Sequence, residues 1–441
     1  MKKYKNIIIF VILFFSFLFL NLFVNQLQND EIWNYGFTHN IYSGLVPYKD
    51  FNMVITPFFP FVMSLVFHVF GSNLLVFHIE NCIILVVLSY LMYQLIGEKV
   101  FLIGILTLIF SNSITFPSYN LFLLFLFVLL IYLEKKKSND YFIGFLIGIS
   151  VLTKQSIGVF FILPSFYYFR DKKKLGKRFV GFLVPCVCFL LFLLINHNFN
   201  EFLDLCFFGL FDFGSKNTPS FNFGYIALFL YFLVCGYFIF KDKKNIYNYY
   251  ALAFSTMMIP LVDVHHSMLA YIGLILVILM KYDFSLKVNL KLIYIVCFVL
   301  ISIISIYKYN EGYPMIYPND IKHFEYRFIH SDSLDFTHQV LDYMDSHKGR
   351  DFVFMTSGAY YYRLITDTPI TYLDLTNNGN YGYQGSEKII KDIKKHHDAI
   401  FFVFEEELGD YCQSDKPSMQ YVIDHGNKIG QIMIYTIYEL E

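Results

Sequence analysis

Apolar stretches recur through the first 307 residues, at about 6–24, 55–70, 73–96, 100–116, 119–133, 141–152, 157–169, 179–195, 222–240, 248–262, 265–281 and 291–307. A straight membrane helix needs ~20 such residues, and several of these runs are shorter. Pro57, Pro60, Pro117 and Pro164 break them further. Broken apolar pieces are tolerated where they line a cavity instead of facing lipid. After residue 307 the pattern changes. Strand-like runs at 352–355, 400–404 and 432–438 surround a helical stretch at 387–397, where Ile389, Ile390 and Ile393 share one side. Most of the Asp, Glu and His of the chain falls in this part. The pattern predicts a helical membrane domain over 1–307 and a small α/β domain over 308–441.

Basic residues orient the spans. Lys2, Lys3 and Lys5, residues 135–137 and 170–178, Lys241, Lys243 and Lys244, and Lys281, Lys287 and Lys291 read as cytoplasmic. The loop at 25–55, Lys154-Gln155, residues 196–221 and 263–266, and the C-terminal domain then lie outside. Twelve crossings would return the C-terminus to the cytoplasm. One piece between 55 and 133 is therefore not a full crossing, which leaves about 11 spans. The expected protein is mainly α, a polytopic helical protein of the plasma membrane with its N-terminus cytoplasmic and its C-terminal domain extracytoplasmic.

Composition agrees. Of the 441 residues 56% are hydrophobic, 20% aromatic and 16% charged, against about 25% charged in soluble domains. The first run carries no small-residue cleavage site and reads as a retained helix. Seven cysteines sit mostly inside apolar runs, where they behave as small hydrophobes. Only Cys412 lies in a polar stretch, so neither a disulfide framework nor a CxxC metal site is indicated. Gly385-Ser386 with Lys388 lacks the glycine pattern of a phosphate loop, and no nucleic-acid patch is present.

Ionisable residues beside a bilayer mark candidate chemistry. Asp30 and Glu31 open the first outer loop as an adjacent acidic pair, a candidate general base or cation site beside the bland reading of a solvated helix end. Asp50, flanked by Tyr48, Lys49 and Phe51, is a candidate for substrate contact. With Asp30 it could share a divalent cation, Mg²⁺ or Mn²⁺, since oxygen ligands suit both. Trp33, Tyr35 and Tyr48 suit stacking on sugar rings. Lys154-Gln155 stands between two short apolar pieces, away from the cytoplasmic clusters; its simplest task is to hold a phosphate as a point charge. The alternative is a snorkelling interfacial lysine. Asp263, His265 and His266 suggest a zinc site, but adjacent histidines ligate one ion poorly. Orientation of a polar substrate or lipid phosphate, or plain interfacial polarity, are the other readings. Tyr119-Asn120 after Pro117 is expected to cap the next helix, because Asn is unfavourable in a helix interior.

Together these pieces resemble the GT-C glycosyltransferases, and more narrowly the bacterial relatives of protein O-mannosyltransferases and of aminoarabinose transferase. The resemblance rests on Asp30-Glu31, the string Ser43-Gly44-Leu45-Val46-Pro47-Tyr48-Lys49-Asp50-Phe51, Pro57 and Gly71. It continues through Pro117-Ser118-Tyr119-Asn120, Leu152-Thr153-Lys154-Gln155 with Gly158, Asp263-Val264-His265-His266, and a C-terminal domain carrying Tyr361-Tyr362 and Thr368-Pro369-Ile370. It spans nearly the whole chain. It implies a polyprenyl-phosphate sugar donor bound from the membrane, an acceptor in the cell envelope (glycan, lipid or polymer), and inverting transfer on the outer face. Asp30 then activates the acceptor, with Glu31 beside it. One departure stands out: aminoarabinose-transferase-like members carry a lysine just before the proline that opens the second span, where this chain has Val54-Ile55-Thr56-Pro57. Lys154 or Lys49 would then meet the phosphate. Two other classes stay open, a polysaccharide transporter or flippase and a catalytically inactive partner in envelope biogenesis.

Overall fold

The computed structural model describes residues 2–440 except 25–28, 111–114, 217–222, 260–261, 283–287, 310–314, 317–320, 322, 324–328, 357, 377–378 and 406–414. Cys412 and Lys287 lie outside the described residues. Helices dominate the first part of the chain. They are α1 (Lys2–Phe19), α2 (Asn29–Tyr42), α3 (Phe58–Phe70), α4 (Leu74–Ile96), α5 (Val100–Ile109) and α6 (Tyr119–Lys135). Then follow α7 (Asp140–Thr153), α8 (Lys172–Ile195), α9 (Phe223–Lys241), α10 (Ile246–Phe254), α11 (Val264–Lys281) and α12 (Leu290–Tyr309).

Among the described residues, four stretches are long and apolar enough to cross a membrane: Leu74–Ile109, Lys172–Ile195, Gly224–Lys241 and Val264–Lys281. The first holds two helices, because Gly97 at φ 64 opens a 3-10 turn (Gly97–Lys99) between α4 and α5. Phe10–Leu22, Phe58–Phe70, Asp140–Thr153 and Leu290–Ile304 are shorter apolar helices. The broken pieces anticipated from the prolines are real. The 157–169 run is a four-residue helix (Gln155–Gly158) continued by a 3-10 segment (Val159–Tyr168) with Pro164 inside it.

Small residues set the closest packing. α7 and α8 approach through Gly144, Gly148 and Gly181: a Cβ on Gly144 would lie 2.0 Å from the Arg178 carbonyl oxygen. Close backbone approach at glycines is how helices associate where lipid removes the hydrophobic drive. Arg178, one of the basic residues assigned to cytoplasmic topology, is buried instead. Its guanidinium meets Glu134 at 2.5 Å and Asp140 at 2.9 Å, and Tyr250 donates its hydroxyl to Glu134 at 3.0 Å. A buried arginine is tolerated when its charge is paired in this way.

The C-terminal part mixes helices and strands. A two-residue pair, β1 (Met315–Ile316) with β2 (Ile329–His330), precedes α13 (Ser331–Ser346). β3 (Phe352–Met355) leads through α14 (Ala359–Thr366) and α15 (Gly385–Lys395) to β4 (Ile400–Val403). Last come α16 (Lys416–His425), β5 (Gly426–Ile432) and β6 (Tyr435–Leu440). The sheet runs β3-β4-β6-β5, with β3 and β4 parallel and the other pairs antiparallel. The strands expected at 352–355 and 400–404 and the helix at 387–397 are present within a residue or two. The single strand expected at 432–438 is a hairpin, turning at Met433 (φ 45) and Ile434. Two apolar residues occupy the turn, so no glycine or asparagine announced it.

The loop at 43–55 is built into this C-terminal part. Tyr48, Phe51, Met53 and Ile55 are buried with Ile32 and Phe37 of α2, Phe202, and Tyr360 and Ile370 from beyond β3. Asn40 donates to the Ile370 carbonyl at 2.9 Å and accepts from its N–H at 3.0 Å. Asn52 donates to the Leu375 and Asn380 carbonyls at 3.0 and 3.2 Å. Both amides satisfy backbone groups that burial would otherwise strand.

Candidate active site

Four breaks in the helical pattern bring the polar residues together. α2 places Asp30 in its first turn. Ser118, extended at φ −157 and ψ 153, caps α6 by accepting the Leu121 N–H at 3.2 Å. The cap is thus Ser118 and not Tyr119-Asn120: the shorter hydroxyl takes the orphan N–H and frees the Asn120 amide for the pocket. α7 stops at Thr153, and Lys154 is extended (φ −157, ψ 107) before the chain folds back. The fold-back is tight, since a Cβ on Gly158 would lie 2.0 Å from the Ser150 carbonyl oxygen. Asp263 caps α11, accepting the His266 N–H at 2.8 Å.

The hydrogen bonds fix one another's sense. Lys154 Nζ has only protons to offer, so the atom 3.0 Å from it on Asn120 is the carbonyl oxygen Oδ1. Asn120 Nδ2 therefore faces the histidines, 3.3 Å from His265 Nε2 and 3.4 Å from His266 Nε2. Asp263 Oδ2 lies 2.8 Å from His266 Nδ1 and accepts its proton. His266 Nε2 is then left with a lone pair to accept from Asn120. The result is a continuous line, Asp263 to His266 to Asn120 to Lys154, ending in a half-buried ammonium 4.9 Å from the centre of the Tyr119 ring. His265 stacks on Phe116, ring centres 5.2 Å apart at 24°.

Asp30 completes the group. The ionisable groups within electrostatic reach of it are His266, Lys154 and Asp263. Burial pushes its carboxyl above the usual value, against the pull of His266 and Lys154, while Asp263 adds to the push. Asp263 goes the other way. Burial opposes its charge, but the hydrogen bonds and field of His266 outweigh that and hold it below the usual value. The two environments thus push the proton affinities of the two carboxylates in opposite directions.

The acidic pair separates. Successive helical residues diverge by about 100°, and Glu31 turns the other way, buried against α4 with Oε1 2.8 Å from His78 Nε2. Gln155 works as a staple: it donates to the Val54 and Cys206 carbonyls at 2.9 and 3.0 Å and accepts the Thr56 N–H at 3.2 Å. Tyr48 is fully buried at φ 69, with its hydroxyl on the Ile55 carbonyl at 2.8 Å. Lys49 and Asp50 are exposed, and the Asp50 carboxylate accepts the Val46 N–H of its own turn at 2.7 Å. A divalent ion shared by Asp30 and Asp50 finds no support in this arrangement. Asn34, not singled out from the sequence, accepts the Tyr119 N–H at 3.3 Å and so locks α2 to α6. Its position one turn after Asp30 was the available signal.

The fold is a helical membrane architecture with a small C-terminal sheet, and it brings Asp263, His266, Asn120 and Lys154 into one polar cluster. No family model matches the chain, and no curated protein matches it. The architecture matches solved structures of ArnT from Cupriavidus metallidurans. The one bound to undecaprenyl phosphate has a TM-score of 0.59 at 10% identity, covering 98% of this chain and 98% of that one. The apo structure gives 0.59 at 9% identity, over 99% and 98%. The chain therefore shares the fold of these ArnT structures.

Proposed function

We propose that the protein is an integral membrane glycosyltransferase that moves a sugar from a polyprenyl-phosphate carrier to a hydroxyl of an envelope glycan, lipid or polymer, on the outer face. The observation that carries this reading is that Asp30 lies within electrostatic reach of Lys154, whose ammonium is held by Asn120 at 3.0 Å. The shared fold with ArnT bound to undecaprenyl phosphate supports the donor class. Residues 1–307 would form the membrane domain and 308–441 the extracytoplasmic domain, with the N-terminus cytoplasmic.

The chemistry follows from the two poles. Asp30 takes the proton of the acceptor hydroxyl, and the oxygen attacks the anomeric carbon from the face opposite the phosphate. The carbon–oxygen bond to the phosphate breaks and its electron pair leaves with the lipid phosphate. Configuration inverts in a single displacement. Lys154 meets the charge that develops on the phosphate, taking the part of the lysine absent before Pro57. Asp263 acts through His266 and Asn120 to hold Lys154 in place; these are positioning residues.

The test is transfer by purified protein in membranes, with a panel of polyprenyl-phosphate sugars and extracted envelope acceptors. Asp30→Asn should lower turnover about 10²–10⁴-fold, the usual worth of a general base, with melting temperature unchanged. Wild-type turnover in Asp30→Asn would remove Asp30 from the mechanism. Donor-lipid binding without turnover by wild type would favour an inactive partner.

A further inference from the structure

A second polar cluster lies where α2 meets the C-terminal part. His323 Nε2 is 2.6 Å from Asp367 Oδ1, and His39 Nε2 is 3.5 Å from the same oxygen. The three ligand atoms all lie within 4.8 Å of one another. Tyr35 donates its hydroxyl to the Ser72 carbonyl at 2.5 Å, which leaves its oxygen to accept the Nδ1 proton of His323, 3.2 Å away. In the neutral ring that bond puts the lone pair on Nε2, facing a carboxylate oxygen. Two lone pairs at 2.6 Å repel unless the ring carries a second proton or both atoms turn to ligate one cation. Metal-bound histidines are typically oriented by such a bond on the other ring nitrogen.

We propose that His39, His323 and Asp367 form a site for a divalent transition metal of the zinc class. Two imidazoles and one carboxylate are a donor set that favours such ions over Mg²⁺ or Mn²⁺. Side-chain exposures of 14%, 8% and 30% for His39, His323 and Asp367 make the site reachable by an ion from solvent yet mostly dry. The site is separate from the Asp30 pocket: His39 lies about 13 Å further along α2, nine residues at 1.5 Å each. Its effect is mechanical. One ion would tie the distal half of the helix that carries Asp30 to two loops of the C-terminal part, beside the Asn40–Ile370 bonds.

The test uses full-length protein in detergent, stripped with EDTA and dialysed against Zn²⁺ or Co²⁺. Wild type should hold about one ion per chain, show visible ligand-field absorption with Co²⁺, and melt higher with Zn²⁺ than without. Asp367 already occupies a left-handed backbone (φ 54) that asparagine tolerates, so Asp367→Asn should keep the fold. It and His39→Gln should each weaken binding by at least about tenfold and abolish the Zn²⁺-dependent rise in melting temperature. No stoichiometric ion in wild type would overturn the proposal, and so would unchanged binding in both variants. A melting temperature that responds to pH alone would mark a protonated His323–Asp367 pair instead, and would equally overturn it.

Discussion

Lys154→Gln tests the pocket most sharply, because two independent readouts should move together. The ammonium is fixed by Asn120 at 3.0 Å and by the Tyr119 ring at 4.9 Å, so it is pre-aimed when the donor arrives. A full charge 4 Å from a unit charge in surroundings of effective dielectric about 20 is worth about 4 kcal/mol. The leaving phosphate gains only part of a charge at the transition state, so about half of that, ~2 kcal/mol, is at stake. That predicts about a 30-fold loss in turnover, rising toward 10²–10³ if water is well excluded. The same lysine favours the carboxylate form of Asp30. Removing it should raise the Asp30 proton affinity further. Turnover needs the deprotonated base, so the rate rises with pH, and the inflection of that limb should move to higher pH in Lys154→Gln. The assay is transfer from a polyprenyl-phosphate sugar over a pH series, with saturating donor. Lys154→Arg should keep the pH limb and recover only part of the rate, since a planar fork replaces a point charge. Unchanged turnover together with an unchanged limb in Lys154→Gln would refute the assignment.

Two further substitutions probe the frame. Gly158→Ala forces a methyl group to within 2.0 Å of the Ser150 carbonyl oxygen; it should cost about 1–3 kcal/mol, read as a lower melting temperature with a displaced, less active Lys154. Glu31→Ala leaves the wholly buried His78 without its carboxylate. It should destabilise by about 1–3 kcal/mol while turnover per folded molecule changes less than tenfold, in contrast to Asp30→Asn.

The helical membrane part was legible because it rests on long-range composition and on charge placement, which single residues do not overturn. The C-terminal strands at 352–355 and 400–403 were legible too, as short apolar runs buried on both faces. What failed to show was anything decided by a turn. The β5–β6 hairpin turns on Met433 and Ile434, residues chosen for the sheet and not for the turn. Likewise α14 reads as an aromatic cluster until Tyr360 is seen packing against Phe37 and Trp33 of α2.

The site divides along the same line. Lys154 stood out because an ionisable group between apolar pieces is costly, and Asp263, His265 and His266 as a polar cluster between two apolar runs; the structure joins them through Asn120, which was expected only as a helix cap. Adjacency in sequence misled where geometry is helical: Asp30 and Glu31 are neighbours in the chain and strangers in space. The string at 43–51 misled for another reason. Its aromatic and charged residues resemble a binding loop, but Tyr48 and Phe51 are wholly buried, and of these four residues Lys49 and Asp50 alone reach solvent. Such a loop is specific because it must fit the C-terminal part docked on it, with the Tyr372 hydroxyl on the Tyr48 carbonyl and Asn52 on the Leu375 and Asn380 carbonyls. The most distinctive string in the sequence therefore packs α2 against the C-terminal part.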